Sequence, residues 1–176
     1  MTVESRPHSF FVVFGKSNGY MNDVWEFDTL KNAWTKAEFA SDSPVPSRRF
    51  GHAVVEYNGD VYIYGGFDDF GLTCNDVWRY DVEARRWTPI LHLQSEAPEA
   101  MHHCAAVYQG SLLVWGGSDT RNDSLYEFRF GSGSWSPVAV RSPPSQRPRL
   151  KWGARSFVWE DDFYVVGGTD SLVCHR

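Results

Sequence analysis

Long apolar runs are missing from this sequence: none approaches the roughly 18 residues that a membrane helix needs. No apolar stretch follows a basic start, so no secretory leader is legible and a cytoplasmic setting is expected. Cysteine is scarce. Cys74, Cys104 and Cys174 are odd in number and lack C-x-x-C spacing, which fits free thiols in a reducing compartment and not a disulfide framework. Positive charge is also short, with 17 Lys and Arg against 22 Asp and Glu, a net charge of −5 that disfavours general nucleic-acid binding. Catalytic signatures are wanting too. There is no Gly-x-Ser-x-Gly, His-Glu-x-x-His or phosphate loop, and the adjacent carboxylates Asp68-Asp69 and Asp161-Asp162 sit on expected turns, where solvation is the default. In His102-His103-Cys104 neighbouring strand residues point to opposite faces, so only His102 and Cys104 could share a ligand, which is too few for zinc. No enzyme, metal site or cofactor is expected.

What is abundant is aromatic and turn-forming. Aromatics are 16% of the residues, eight of them Trp, and 15 Gly with 9 Pro imply many tight turns. These figures fit a β-rich fold with a packed core. An apolar strand ending in Gly recurs as FFVVFGK (10–16), DVYIYGG (60–66), SLLVWGG (111–117) and DFYVVGG (162–168). Its first Gly falls at Gly15, Gly65, Gly116 and Gly167, at intervals of 50, 51 and 51 residues. A second element follows as NDVWEFD (22–28), NDVWRYD (75–81) and NDSLYEFRF (122–130), with Trp34, Trp87 and Trp135 nine residues beyond its aromatic. A third element, GHAVVEY (51–57), HHCAAVYQ (102–109) and GARSFVW (153–159), precedes the glycine strand across a short turn such as Asn58-Gly59 or Gln109-Gly110. That spacing reads as a hairpin.

Each period is therefore four short strands, A to D, with A as GHAVVEY, B as DVYIYGG, C as NDVWRYD and D starting near Arg85-Arg86-Trp87. Several are apolar on both alternating sets, as in Val61-Tyr62-Ile63-Tyr64, which predicts burial on both faces. Four strands per repeat of about 50 residues reads as propeller blades.

The repeat resembles the kelch family, whose marks are Arg-x-Gly-His leading into strand A, a diglycine closing B, an aromatic-Asp end to C and a later Trp. The second unit carries all of them, in Arg49, Gly51-His52, Gly65-Gly66, Tyr80-Asp81 and Trp87. The third keeps His103, Gly116-Gly117, Phe128 and Trp135, with Ala100 and Arg129 where Arg and Asp are usual; the fourth keeps Gly153 and Gly167-Gly168, with Lys151 in the Arg position. The first keeps Gly15 and Trp34, has Lys16 for its second Gly and shows no strand A. The resemblance implies an all-β, partial kelch-type β-propeller of about three and a half four-stranded blades in an open ring. Residues 1–9 read as a tail, 10–41, 42–93, 94–140 and 141–168 (partial) as the units, and 169–176 as a truncated C-terminal end.

A kelch resemblance implies a protein-interaction surface, here as part of an adaptor or ubiquitin-ligase substrate receptor. A minority of the family are enzymes, metal-dependent or sugar-acting, which makes a fragment of one the alternative. In a four-strand meander the A–B and C–D turns share one side; the longer B–C loops and D–A links share the other, where binding is expected. On that side Phe67, Asp68, Asp69 and Phe70 offer two acids between aromatics, and Asp119 and Arg121 lie in the next B–C loop. Six bases and no acid lie between Glu127 and Glu160, and Arg147, Arg149 and Lys151 of that run suit an acidic partner. The open blade ends are expected to support self-association.

Overall fold

The computed structural model describes residues 1–3, 6–91, 97–117, 124–149 and 152–169. Among the described residues fifteen strands carry the fold, and the one helical element is a 3₁₀ turn at Pro144–Gln146. No helix there is long and apolar enough to cross a membrane. Strands β1 (Ser9–Lys16), β2 (Tyr20–Asp28) and β3 (Ala33–Lys36) form the first sheet. A two-residue strand β4 (Arg49–Phe50) leads into the second blade, made of β5 (Ala53–Tyr57), β6 (Asp60–Tyr64), β8 (Val77–Asp81) and β9 (Arg86–Ile90). Between β6 and β8, β7 (Phe67–Asp68) pairs back onto β4. The third blade is β10 (Cys104–Tyr108), β11 (Ser111–Trp115), β12 (Leu125–Arg129) and β13 (Ser134–Val138); β14 (Arg155–Trp159) and β15 (Asp162–Val166) form a two-stranded sheet.

Among the described residues every strand pairing is antiparallel: within a blade the strands follow one another as a meander, and β4–β7 closes over the β5–β6 hairpin. Between β5 and β6 the turn residues Asn58 and Gly59 have φ of 52° and 83°, and Gln109 and Gly110 repeat this at 46° and 77°. Two consecutive left-handed residues match the twist of a hairpin, which is why Asn-Gly suits the first.

β10 touches both β5 and β14, so the first strands of successive blades gather on an axis. A backbone chain ties them together: His102 N–H donates to the Gly51 carbonyl at 2.6 Å, and Gly153 N–H donates to the His102 carbonyl at 3.0 Å. Those three residues are 51 apart, so one repeat is one step round the axis.

The core lies in the seams between blades. Val61 and Ile63 join Phe11, Val13, Phe14, Val24, Tyr80 and Trp87 in the first seam, whereas Tyr62 and Tyr64 join Leu112, Val114, Phe128 and Trp135 in the second. The two-residue side-chain period thus sends alternate residues of β6 into different seams. Each aliphatic side chain so buried contributes on the order of 1.5–3 kcal/mol.

Trp87 is 0% exposed and Trp135 is buried in the seams, but Trp34, on the outer face of the first sheet, is 51% exposed. Where the sequence suggests only a tail, Val3 is buried in the first seam. The Met1 ammonium and carbonyl bond the Phe11 backbone at 3.1 and 2.7 Å, on the edge of β1 away from β2. This short segment occupies the inner position that strand A holds in the complete blades.

Candidate interaction face

The loop side is organised around one buried cation. Arg49 is 1% exposed, and its guanidinium forks onto both carboxylate oxygens of Asp76, one at 2.9 Å, while also donating to the Gly65 carbonyl at 3.1 Å and Ser47 Oγ at 2.8 Å. Burial alone would raise the Asp76 carboxyl, yet the bonds and charge of Arg49 outweigh it and hold the group below the usual carboxylate range. The sequence marks Arg49 as a repeat residue; the structure shows it tying strand A's lead-in to the β6–β8 loop.

Asp68 is not the surface acid that the sequence suggests. It is 6% exposed, and its Oδ1 accepts the N–H groups of Phe70 at 3.0 Å and Leu72 at 2.9 Å. A short carboxylate bonding its own chain two and four residues on shapes the loop from inside. This lifts Phe70 and Leu72 out to 79% and 63% exposure, with Asp69 exposed beside them. Phe67 is half-buried, with its ring against Phe50 at 6.1 Å.

Around Phe50 runs a line of rings that the sequence reading missed. Tyr20 stacks on Phe50 at 5.3 Å and 8°, Phe50 meets His102 at 5.5 Å, and His102 stacks on Trp152 at 5.9 Å. Lys16 places its ammonium 5.1 Å and 5.0 Å from the Tyr20 and Phe50 ring centres, a cation–π contact in the slot of the missing second glycine. These rings come from all four sheets or their lead-ins and form a collar where the first strands begin. One signal was available: Phe50 and Trp152 are two repeats apart, and the pair Phe50–Phe67 recurs as the bridge Trp152–Thr169.

Beneath the collar the repeat histidines serve packing. His52 Nε2 meets the Val13 carbonyl at 3.1 Å, so the nitrogen carries its proton there. Burial, then the Arg49 charge, push His52 down to about 4, against the pull of that carbonyl. Burial, then His52, push His103 down to about 3; the Ala100 carbonyl pulls the other way without hydrogen-bond geometry to either ring nitrogen. Gly66 and Gly117 are needed because the lead-in to a strand A passes so close: a Cβ on Gly66 would lie 2.9 Å from His52 Cβ, and on Gly117 2.8 Å from the Met101 carbonyl oxygen.

The basic link is less open than its composition suggests. Arg147 folds back on its own segment, donating to the carbonyls of Ser142 at 2.8 Å and Val140 at 3.2 Å, and lines a cavity between the third and fourth sheets. Arg149 is exposed. Asp119, Arg121 and Lys151 lie outside the described residues.

Comparison with known proteins now bears on this architecture. Residues 10–173 match the family model described as the Attractin/LZTR1 beta-propeller. The Leucine-zipper-like transcriptional regulator 1 homolog of Drosophila melanogaster is 27% identical over 156 residues, covering 84% of this chain and 16% of that protein. Kelch-like protein 35 of Mus musculus is 33% identical over 164 residues, covering 89% and 26%, and Kelch domain-containing protein 3 of Bos taurus is 25% identical over 173 residues, covering 88% and 45%. The chain thus spans less than half the length of each of these relatives. Stacked four-stranded blades at a 51-residue step, carrying glycines and tryptophans at repeated positions, agree with that match: the chain belongs to the kelch-type Attractin/LZTR1 beta-propeller family.

Proposed function

We propose that the chain is a protein-interaction scaffold that seats a protein partner on its loop face, over the collar of Tyr20, Phe50, His102 and Trp152. The observation that carries the reading is this collar beside the exposed Phe70 and Leu72, on a loop fixed from within by Asp68 and the Arg49–Asp76 pair. Apolar anchors on a rigid support lose little entropy on binding, and such aromatics dominate interfaces energetically. Lys16 beside the collar and Arg149 on the link favour an acidic partner surface, and act mainly on association rate. Within a longer protein this face would be the substrate-receiving part of an adaptor. The apolar surfaces at the two ends of the blade stack support self-association as a second, weaker mode.

Phe70→Ala is expected to speed partner dissociation by about 5- to 30-fold, the range for losing an anchor worth about 1–2 kcal/mol. Arg149→Glu should slow association and flatten its salt dependence. Substitutions that preserve geometry in the turns at Asn58-Gly59 and Gln109-Gly110, on the opposite side, should leave both rates alone. Surface plasmon resonance on a captured partner reads all three, and turn variants that abolish binding while loop variants do not would place the site on the other face.

A further inference from the structure

The sequence carries four Ser-Pro or Thr-Pro pairs, beginning at Ser43, Thr88, Ser136 and Ser142. The fold occupies three of them. Ser43 Oγ accepts the N–H of the fully buried Trp87 at 2.8 Å and donates to the Pro44 carbonyl at 2.9 Å. Thr88 and Ser136 lie within the D strands β9 and β13, paired opposite Arg79 and Glu127 and each next to a buried Trp. Ser142 alone of the four stands outside every strand, exposed on the link between the third and fourth sheets. Pro143 after it is extended, with φ of −63° and ψ of 153°, and Pro144 and Ser145 beyond it are exposed. Enzymes that modify a chain need it exposed and extended, which a Pro-stiffened link supplies without local unfolding.

The same link holds a receptor for an anion at this residue. Arg147 Nε donates to the Ser142 carbonyl at 2.8 Å and Nη2 to the Val140 carbonyl at 3.2 Å, so a guanidinium with further N–H groups already stands against Ser142. Arg141 precedes it, and no acid lies between Glu127 and Glu160 to compete for these cations. The planar fork of Arg matches phosphate oxygens. We infer that Ser142 is a phosphorylation site for a proline-directed serine kinase, with Arg147 as the receptor of the phosphate. In the step, Ser142 Oγ attacks the γ-phosphorus of a nucleoside triphosphate. The Oγ–P bond forms as the bond to the bridging oxygen breaks, the nucleoside diphosphate leaves, and the hydroxyl proton passes to the kinase's base. The product places roughly two negative charges at neutral pH among Arg141, Arg147 and Arg149. A basic run thereby becomes nearly neutral, and a charge-assisted bridge ties the link. Slower association with an acidic partner follows from this and rests on the loop-face reading; the site itself does not.

The test gives the whole chain to a purified proline-directed kinase with ATP and magnesium. Peptides spanning each of the four pairs calibrate the kinase's own sequence preference. Mass mapping should find one phosphate, on Ser142, added at close to the rate of its peptide. Ser43, Thr88 and Ser136 should lag their peptides by at least about tenfold, because each needs a local opening of the fold first. A Ser142 that lags its own peptide as far as the others do overturns the site. Phosphorus NMR of the modified chain then reads the receptor. The phosphate should titrate below the second pKa of about 6 usual for phosphoserine, since a nearby cation favours the dianion. Arg147→Gln should return it to the value of the phosphopeptide. A phosphate that titrates like the peptide in the unaltered chain, or is unmoved by Arg147→Gln, overturns the receptor assignment. Neither readout involves a partner, so failure of the loop-face reading leaves both unchanged.

Discussion

At the scale of single residues, three ionisable groups, His103 buried and His52 and Asp76 half-buried, set how the fold answers to acid. His52 and His103 titrate near 4 and 3 in the folded chain, below their ordinary 6.5. As pH falls below about 6.5 the unfolded chain takes up protons that the folded chain refuses, so stability is full above that pH and is lost on acidification through the folded values. Each histidine contributes a slope of up to about 1.4 kcal/mol per pH unit in that window. Asp76, held below its ordinary 3.8, has the same sign at lower pH: its stabilisation is present above 3.8 and disappears as pH falls through the depressed value. Urea denaturation at stepped pH should show the loss beginning near pH 6.5, and His103→Ala should remove one proton's share of the slope. Arg49→Ala leaves the half-buried Asp76 carboxylate without its partner and is expected to cost about 1–3 kcal/mol at neutral pH; no measurable loss would mean the pair does not anchor the loop.

At the scale of elements, the seams carry the energy, and the tryptophans divide by where they sit. Trp87→Ala and Trp135→Ala should each cost about 3–5 kcal/mol, as for large aromatic truncations in a core, whereas Trp34→Ala should stay within about 1 kcal/mol because its ring already faces solvent. Chemical denaturation of the three variants checks the ranking, and equal losses would contradict the seam assignment. Much of this was legible beforehand. The glycine strands, the Asn58-Gly59 and Gln109-Gly110 hairpins and the two-sided β6 follow from periodicity and local turn chemistry, which act between near neighbours in the chain. The loop face was legible only in outline. Asp68 reads as a solvated loop acid because nothing local shows that its backbone pairs with Arg49, 19 residues earlier. The collar joins Tyr20, Phe50, His102 and Trp152 across three seams, and only the ring-like stacking of blades brings them together. Arg147 reads in the sequence as part of a basic run that suits an acidic partner, whereas the carbonyls of Ser142 and Val140 in its own link hold it.

At the scale of the whole molecule, the arc has two unlike open ends. On the first sheet Phe10, Phe27 and Trp34 form one cross-strand row, with Val12 and Trp25 beside it. On the last, Phe157 stacks on Tyr164 at 5.1 Å, with Trp159 and Val166 exposed on the same face. Apolar faces of this kind make the isolated chain prone to bind a hydrophobic dye or to associate head to tail. Light scattering with and without Trp34→Ala and Trp159→Ser should show smaller species for the variants, and an unchanged, dye-negative monomer throughout would contradict it.

The central claim, that the loop face over the collar receives a protein partner, is tested most directly by site-specific photocrosslinking in cells. Benzoylphenylalanine is placed singly at Phe70 and Tyr20 on the loop face and at Asn58 and Gln109 on the opposite turns. The account predicts a discrete partner adduct from positions 70 and 20, lost when Phe50 is replaced by Ala, and none from 58 and 109. Adducts from the turn positions alone would contradict it.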